Sequence, residues 1–96
     1  MRVISQRKIR DFYTQQPYEG AKVPLQQWYH TVRNRDYRSF SQILVDFRDA
    51  VREGDLYVFS IGNGAYKVVT SIFFDMGCIY VRSVVPGDDT LADGQQ

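Results

Sequence analysis

The sequence predicts an α+β domain: a small antiparallel β-sheet from the C-terminal half, with two N-terminal helices packed on one face. Two observations predict it. Leu25, Trp28, Tyr29 and Val32 fall at i, i+3, i+4 and i+7, which lines one side of a helix. From Leu56 the apolar period changes to two, through "LYVFSI", "YKVVTSIFF" and "CIYVRSVV". The pieces between these runs, "GNGA" and "DMGC", are short and contain Gly, as antiparallel hairpins require.

Each element follows in order. "MRVIS" reads as a short opening strand, and Ser5 is placed to cap the helix after it, whose buried stripe is Ile9, Phe12 and Tyr13. Pro17 ends that helix and "YEGAK" is a loop. The second helix tolerates Pro24 in its first turn. Its aromatic residues read as core rather than as a base-stacking platform. Ser39 or Ser41 can start a short third helix, with Leu44, Phe47 and Val51 facing inward, and "REGD" is then a turn. A three-stranded meander completes residues 1–87 as one domain, and residues 88–96 are expected to form an acidic, flexible tail.

Burial sets an expected register for the last hairpin. A two-residue loop at Met76 and Gly77 would put Asp75 opposite Cys78 and align Val68, Ile72 and Phe74 with Val85, Val81 and Ile79 on the apolar face. Lys67 and Arg82 then share the other face, away from the helices. Two cations on rigid strands suit phosphate chemistry, although each side chain could simply cover apolar surface with its alkyl stem.

Composition narrows the function classes. No run approaches the ~20 apolar residues of a membrane helix, and "MRVISQRKIR" has no apolar core of a signal peptide. Cys78 is the only cysteine, which excludes an internal disulfide and fits a reducing cytoplasm. One His and one Cys cannot build a zinc site, so neither metal nor other cofactor is implied. The net charge of +1 hides an asymmetry. Residues 1–38 hold eight Lys and Arg against three acidic residues, whereas the remainder holds four against eight. A basic half of this kind can attract phosphate backbones or an acidic partner. His30 reads as a surface residue of the second helix, not as a catalytic group.

The segments "MRVIS...IRDF", Pro17, "LQQWYHTV..RDYRSFSQI", "YVFSIGNGAYKVV" and "CIYVRSV" resemble the HigB family within the RelE-like superfamily of toxin–antitoxin proteins, from Met1 to about Val85. The resemblance implies a RelE-like fold in a cytoplasmic bacterial toxin. It further implies an endoribonuclease (mRNA interferase) that cuts mRNA on the translating ribosome and is neutralised by a HigA-like helix-turn-helix antitoxin. Lys67 stands where the family has Arg, and Arg82 matches the family's Arg in Y-[IV]-R. Of the family's T-H-x-E-Y-D ending only the acidic position is kept in kind, as Asp89; Gly87, Thr90 and Leu91 replace the His, Tyr and Asp. The implied catalytic set is therefore Lys67, Arg82 and Asp89. Tyr66, Tyr80 or Asp88 are the possible stand-ins for proton transfer. Arg7, Lys8, Arg10, Arg33, Arg35 and Arg38 would form the RNA-binding surface. Two alternatives are a degenerate member that binds antitoxin and RNA without cutting, and an interaction domain with no toxin role.

Overall fold

The computed structural model describes residues 1–87. The expected acidic tail, and with it Asp88 and Asp89, lies outside the described residues. The order is β1 (Arg2–Ile4), α1 (Arg7–Tyr13), a 3-10 turn (Tyr18–Ala21), α2 (Lys22–Arg33), α3 (Phe40–Asp46), β2 (Val51–Glu53), β3 (Leu56–Ile61), β4 (Tyr66–Phe73) and β5 (Cys78–Pro86). The expected α+β class forms, with three α-helices, and buried residues from them join the core cluster of the sheet. The strands make a single sheet, β1-β5-β4-β3-β2. It is mixed rather than purely antiparallel, because β1 runs parallel to β5, with Val3 beside Ile79. A parallel pair needs a long crossover, and here nearly the whole chain supplies it.

The helices are built largely as their spacing dictates. Ile9 and Phe12 of α1 and Leu25, Trp28 and Val32 of α2 are buried, while Tyr13 and Tyr29 are half-buried at the margin. Ser5 is not a side-chain cap. It adopts φ 70°, Gln6 takes the cap position, and no side chain bonds the first turn. Ser39 does cap α3, its hydroxyl accepting the Gln42 N–H at 3.4 Å. α3 ends at Asp46, so Ile43 is its buried residue, and Val51 does not face inward. Val51 instead opens β2 opposite Val58 and is 46% exposed. Of "REGD", Arg52 and Glu53 are strand, and Gly54 and Asp55 alone make the turn. A β-branched residue after a broken helix is better placed in an extended strand.

The core lies between the helices and one sheet face. Trp28 meets Phe59 edge-on at 5.3 Å between ring centroids, and Phe47 meets the same ring at 5.2 Å. Val68, Ile72, Ile79 and Val81 complete the floor. The last hairpin departs from the expected register. Phe73, not Asp75, faces Cys78, and Phe74–Met76 form a short 3-10 turn closed by Gly77 at φ 65°. A left-handed residue there favours Gly because a Cβ would be strained. The shift of two residues preserves which side chains share a face as far as Val81. Then β5 takes one extra residue: Val81 pairs with Thr70 and Ser83 with Val69, which leaves Arg82 as the bulge. The alternation flips there, so Val84 joins the core, and Val85, expected in the core, lies opposite Lys67.

Candidate active face and nucleic-acid interface

The strand positions settle where the two central cations stand. Tyr66 and Val68 face the helices, so Lys67 between them projects from the opposite, open face, with Ser60 and Val85 as cross-strand neighbours. Arg82 reaches the same face by a different route. The bulge re-aims its side chain, as bulges near functional sites commonly do, and its Nε–H donates to the Ser71 hydroxyl at 2.9 Å. Its guanidinium lies 5.9 Å from the Tyr80 ring centroid. The terminal amino groups of Arg82 have no hydrogen-bond partner among the described residues. The two cations thus share a face but do not converge. Ser71 stands four residues beyond Lys67 on β4, roughly 13 Å along an extended strand. Between them the surface is Val69, almost wholly covered, and Ser83.

The neighbouring groups divide clearly. Tyr66 is turned inward and packs edge-on against Phe12 at 5.8 Å. Tyr80 faces outward, opposite Ser71 and beside Arg82. Of the three stand-ins for proton transfer, Tyr80 is therefore the one the described fold places beside Arg82. Gly87, where the family pattern has His, serves as backbone. Its N–H donates to the Ala65 carbonyl at 2.7 Å, and a Cβ there would come within 1.8 Å of the Gly64 oxygen. The end of β5 is thereby docked on the β3–β4 loop with no room for a side chain.

The six basic residues read as an RNA surface separate into three groups. Arg7 and Arg10 line a groove of about 550 Å³ between α1 and α2, together with Tyr13, Gln26, Tyr29 and His30. Arg33 does not line it, but its guanidinium lies 5.9 Å from the centroid of the Tyr29 ring that does. Lys8 points elsewhere, donating to the Arg82 carbonyl at 3.0 Å, where β5 runs past the end of β1. Arg35 and Arg38 are neutralised, Arg35 by Asp46 at 3.3 Å and Arg38 by Asp36 at 3.1 Å. Sequence reasoning missed the group that organises Arg35. Tyr37 is buried and donates its hydroxyl to Asp46 at 2.6 Å. Burial, and then the carboxylate it bonds, push its phenol well above the ordinary range. Nothing in the spacing of "RDYR" signals this, because Asp46 comes from the end of α3.

Among the described residues no three His, Cys, Asp or Glu stand together as metal ligands, and no helix is long and apolar enough to cross a membrane. No curated protein matches the chain significantly. The family model of the HigB toxin, the RelE-like toxic component of a toxin–antitoxin system, matches residues 21–88. That span contains both open-face cations and stops short of β1 and α1. With most of its length so matched, from α2 through β5, the chain belongs to the HigB family of RelE-like toxins in toxin–antitoxin systems.

Proposed function

We propose that this toxin is a ribosome-associated mRNA endoribonuclease of the bacterial cytoplasm, neutralised by a HigA-like helix-turn-helix antitoxin. The observation that carries this reading is Arg82, re-aimed by a bulge onto the face that also bears Lys67 and held there by Ser71. The chemistry needs no cofactor. The 2′-hydroxyl of one nucleotide attacks the adjacent phosphorus and gives up its proton to a base. The bond from phosphorus to the 5′-oxygen breaks, and that oxygen takes a proton. The products are a 2′,3′-cyclic phosphate and a free 5′-hydroxyl.

Arg82 and Lys67 would offset the extra negative charge that builds on phosphorus during this step. Cations fixed on strands before substrate arrives need no reorganisation at that moment. Tyr80 is the proposed proton-transfer group among the described residues, and Asp89 keeps its proposed place in the catalytic set. Arg35 and Arg38, already paired with carboxylates, contribute less to RNA contact than Arg7, Arg10 and Arg33. Non-cutting binding to antitoxin and RNA draws on one observation, the absence of side-chain room at Gly87.

Induced expression separates the two. Growth arrest with transcript cleavage, relieved by co-expressed antitoxin, is the expected result. Lys67→Ala with Arg82→Ala should lower cleavage about 10²-fold or more and leave the melting temperature near that of the parent. Arrest that persists undiminished in the double variant would overturn the assignment of these cations.

A further inference from the structure

We propose that the groove between α1 and α2 is a subsite for an unpaired nucleotide, so that the helical side of the toxin grips single-stranded rather than duplex RNA. The inference rests on RNA being the ligand, and it adds a second binding region behind the sheet face that carries the chemistry.

Three features of the groove meet in one place. Its volume of about 550 Å³ is that of a small-ligand cleft. Tyr13 and Tyr29 line it while remaining half-buried, each ring partly on the core and partly facing the groove. Arg7 and Arg10 line it as well, and neither has an acidic partner among the described residues. More cations surround the rings. Lys22 lies 6.0 Å from the Tyr13 centroid and Arg33 lies 5.9 Å from that of Tyr29. No Asp or Glu among the described residues lines the groove.

Aromatic rings beside free guanidinium groups are what single-stranded nucleic acid requires. A base stacks on the ring while its phosphate is held by the cations, and the amide of Gln26 can meet a base edge. A paired base is already stacked within its helix and cannot offer a face to Tyr29. An acidic peptide would satisfy Arg7 and Arg10 but would make no use of the half-buried rings beside them.

Fluorescence anisotropy with a 2′-O-methyl oligouridine of about eight nucleotides, which cannot be cut, tests this beside a duplex of the same length. The single strand should bind at least about tenfold more tightly. Tyr29→Leu should weaken the single strand about tenfold and the duplex little, whereas Tyr29→Phe, which keeps the ring, should bind as the parent does. Arg10→Glu, at an exposed position outside the core, should weaken both and reduce the salt dependence between about 50 and about 200 mM.

Equal affinity for strand and duplex, or a folded Tyr29→Leu that binds like the parent, would overturn the proposal. So would an acidic peptide that displaces the strand, because the groove would then belong to a protein partner. A parent protein that binds the strand as described but neither arrests growth nor cuts transcripts would sink the endoribonuclease reading and leave this subsite standing.

Discussion

The open face of the sheet and the groove between α1 and α2 both present cations, but they hold them by different means. On the sheet, Arg82 is fixed by a strand bulge, a hydroxyl and a neighbouring ring, and Lys67 by its place near the start of β4, the central strand of the sheet. In the groove, Arg7 and Arg10 stand on the surface of a seven-residue helix without a side-chain tether among the described residues, beside two half-buried tyrosines. Rigid, sparse charge suits a transition state whose charge develops at one atom. Exposed charge next to aromatic surface suits affinity for a flexible polyanion. The contrast also divides the family likeness, for the matched span includes the sheet cations and omits α1.

The largest break between the two regions is the Lys67→Ala, Arg82→Ala pair, which should abolish most cleavage and leave strand binding in the groove nearly intact. Next in size is Gly87→Ala. The added carbon would meet the Gly64 oxygen at 1.8 Å, so either the end of β5 or the loop must move, at a cost of about 1–3 kcal/mol. Urea denaturation should show that loss. Cleavage should fall with it, because Lys67 stands two residues from the loop, and binding in the groove should not. Gly87→His should likewise lower cleavage rather than raise it, since the backbone there has no space for its Cβ. A neutral Gly87→Ala would mean that the strand end is not docked as described.

How much of this was legible in advance depended on whether a signal was local. The stripe of α2 and the three long strands announced themselves because their spacing repeats over enough residues to exclude alternatives. β2 did not, since three residues carry no period, and Val51 fitted a helical stripe equally well. The bulge was invisible for a related reason. Inserting Arg82 changes which of Val84 and Val85 packs against the core, and a run of valines reads the same in either phase. Lys67 and Arg82 could be placed on one face by parity, but not their spacing along it. The groove was further out of reach. Tyr13 and Tyr29 occupy proper core positions in their own helices, and only the packing of α1 beside α2 turns their outer edges into a shared surface.

Tyr37 sharpens the comparison from a third direction, by explaining why Arg35 belongs to neither region. Tyr37→Phe removes a bond to a charged acceptor, and the unfolding free energy should fall by about 1.5–3 kcal/mol. A dependence on pH follows as well. The phenol is raised in the folded state above its ordinary value of 10.0. Its contribution is therefore complete below pH about 10 and is lost as pH climbs above that, where the unfolded chain ionises first. Denaturation midpoints of the parent should decline above that point, and those of Tyr37→Phe should decline less. Equal alkaline slopes would mean that Tyr37 ionises as freely in the fold as outside it.

The smallest expected effect is the most diagnostic of what sets the sheet face apart. If the Ser71 hydroxyl positions Arg82, Ser71→Ala should lower kcat about fivefold, the worth of about 1 kcal/mol for one hydrogen bond, with KM unchanged. Ser71→Thr restores a hydroxyl on a residue that strands accept readily, and it should restore the rate. The proposed role of Ser71 is positioning, so stability alone would not distinguish it, whereas a kcat effect rescued by Thr would. Should Ser71→Ala turn over like the parent, the bond to Ser71 does not set Arg82 apart from Arg10, and the proposed division between a sheet face for chemistry and a groove for binding loses its physical basis.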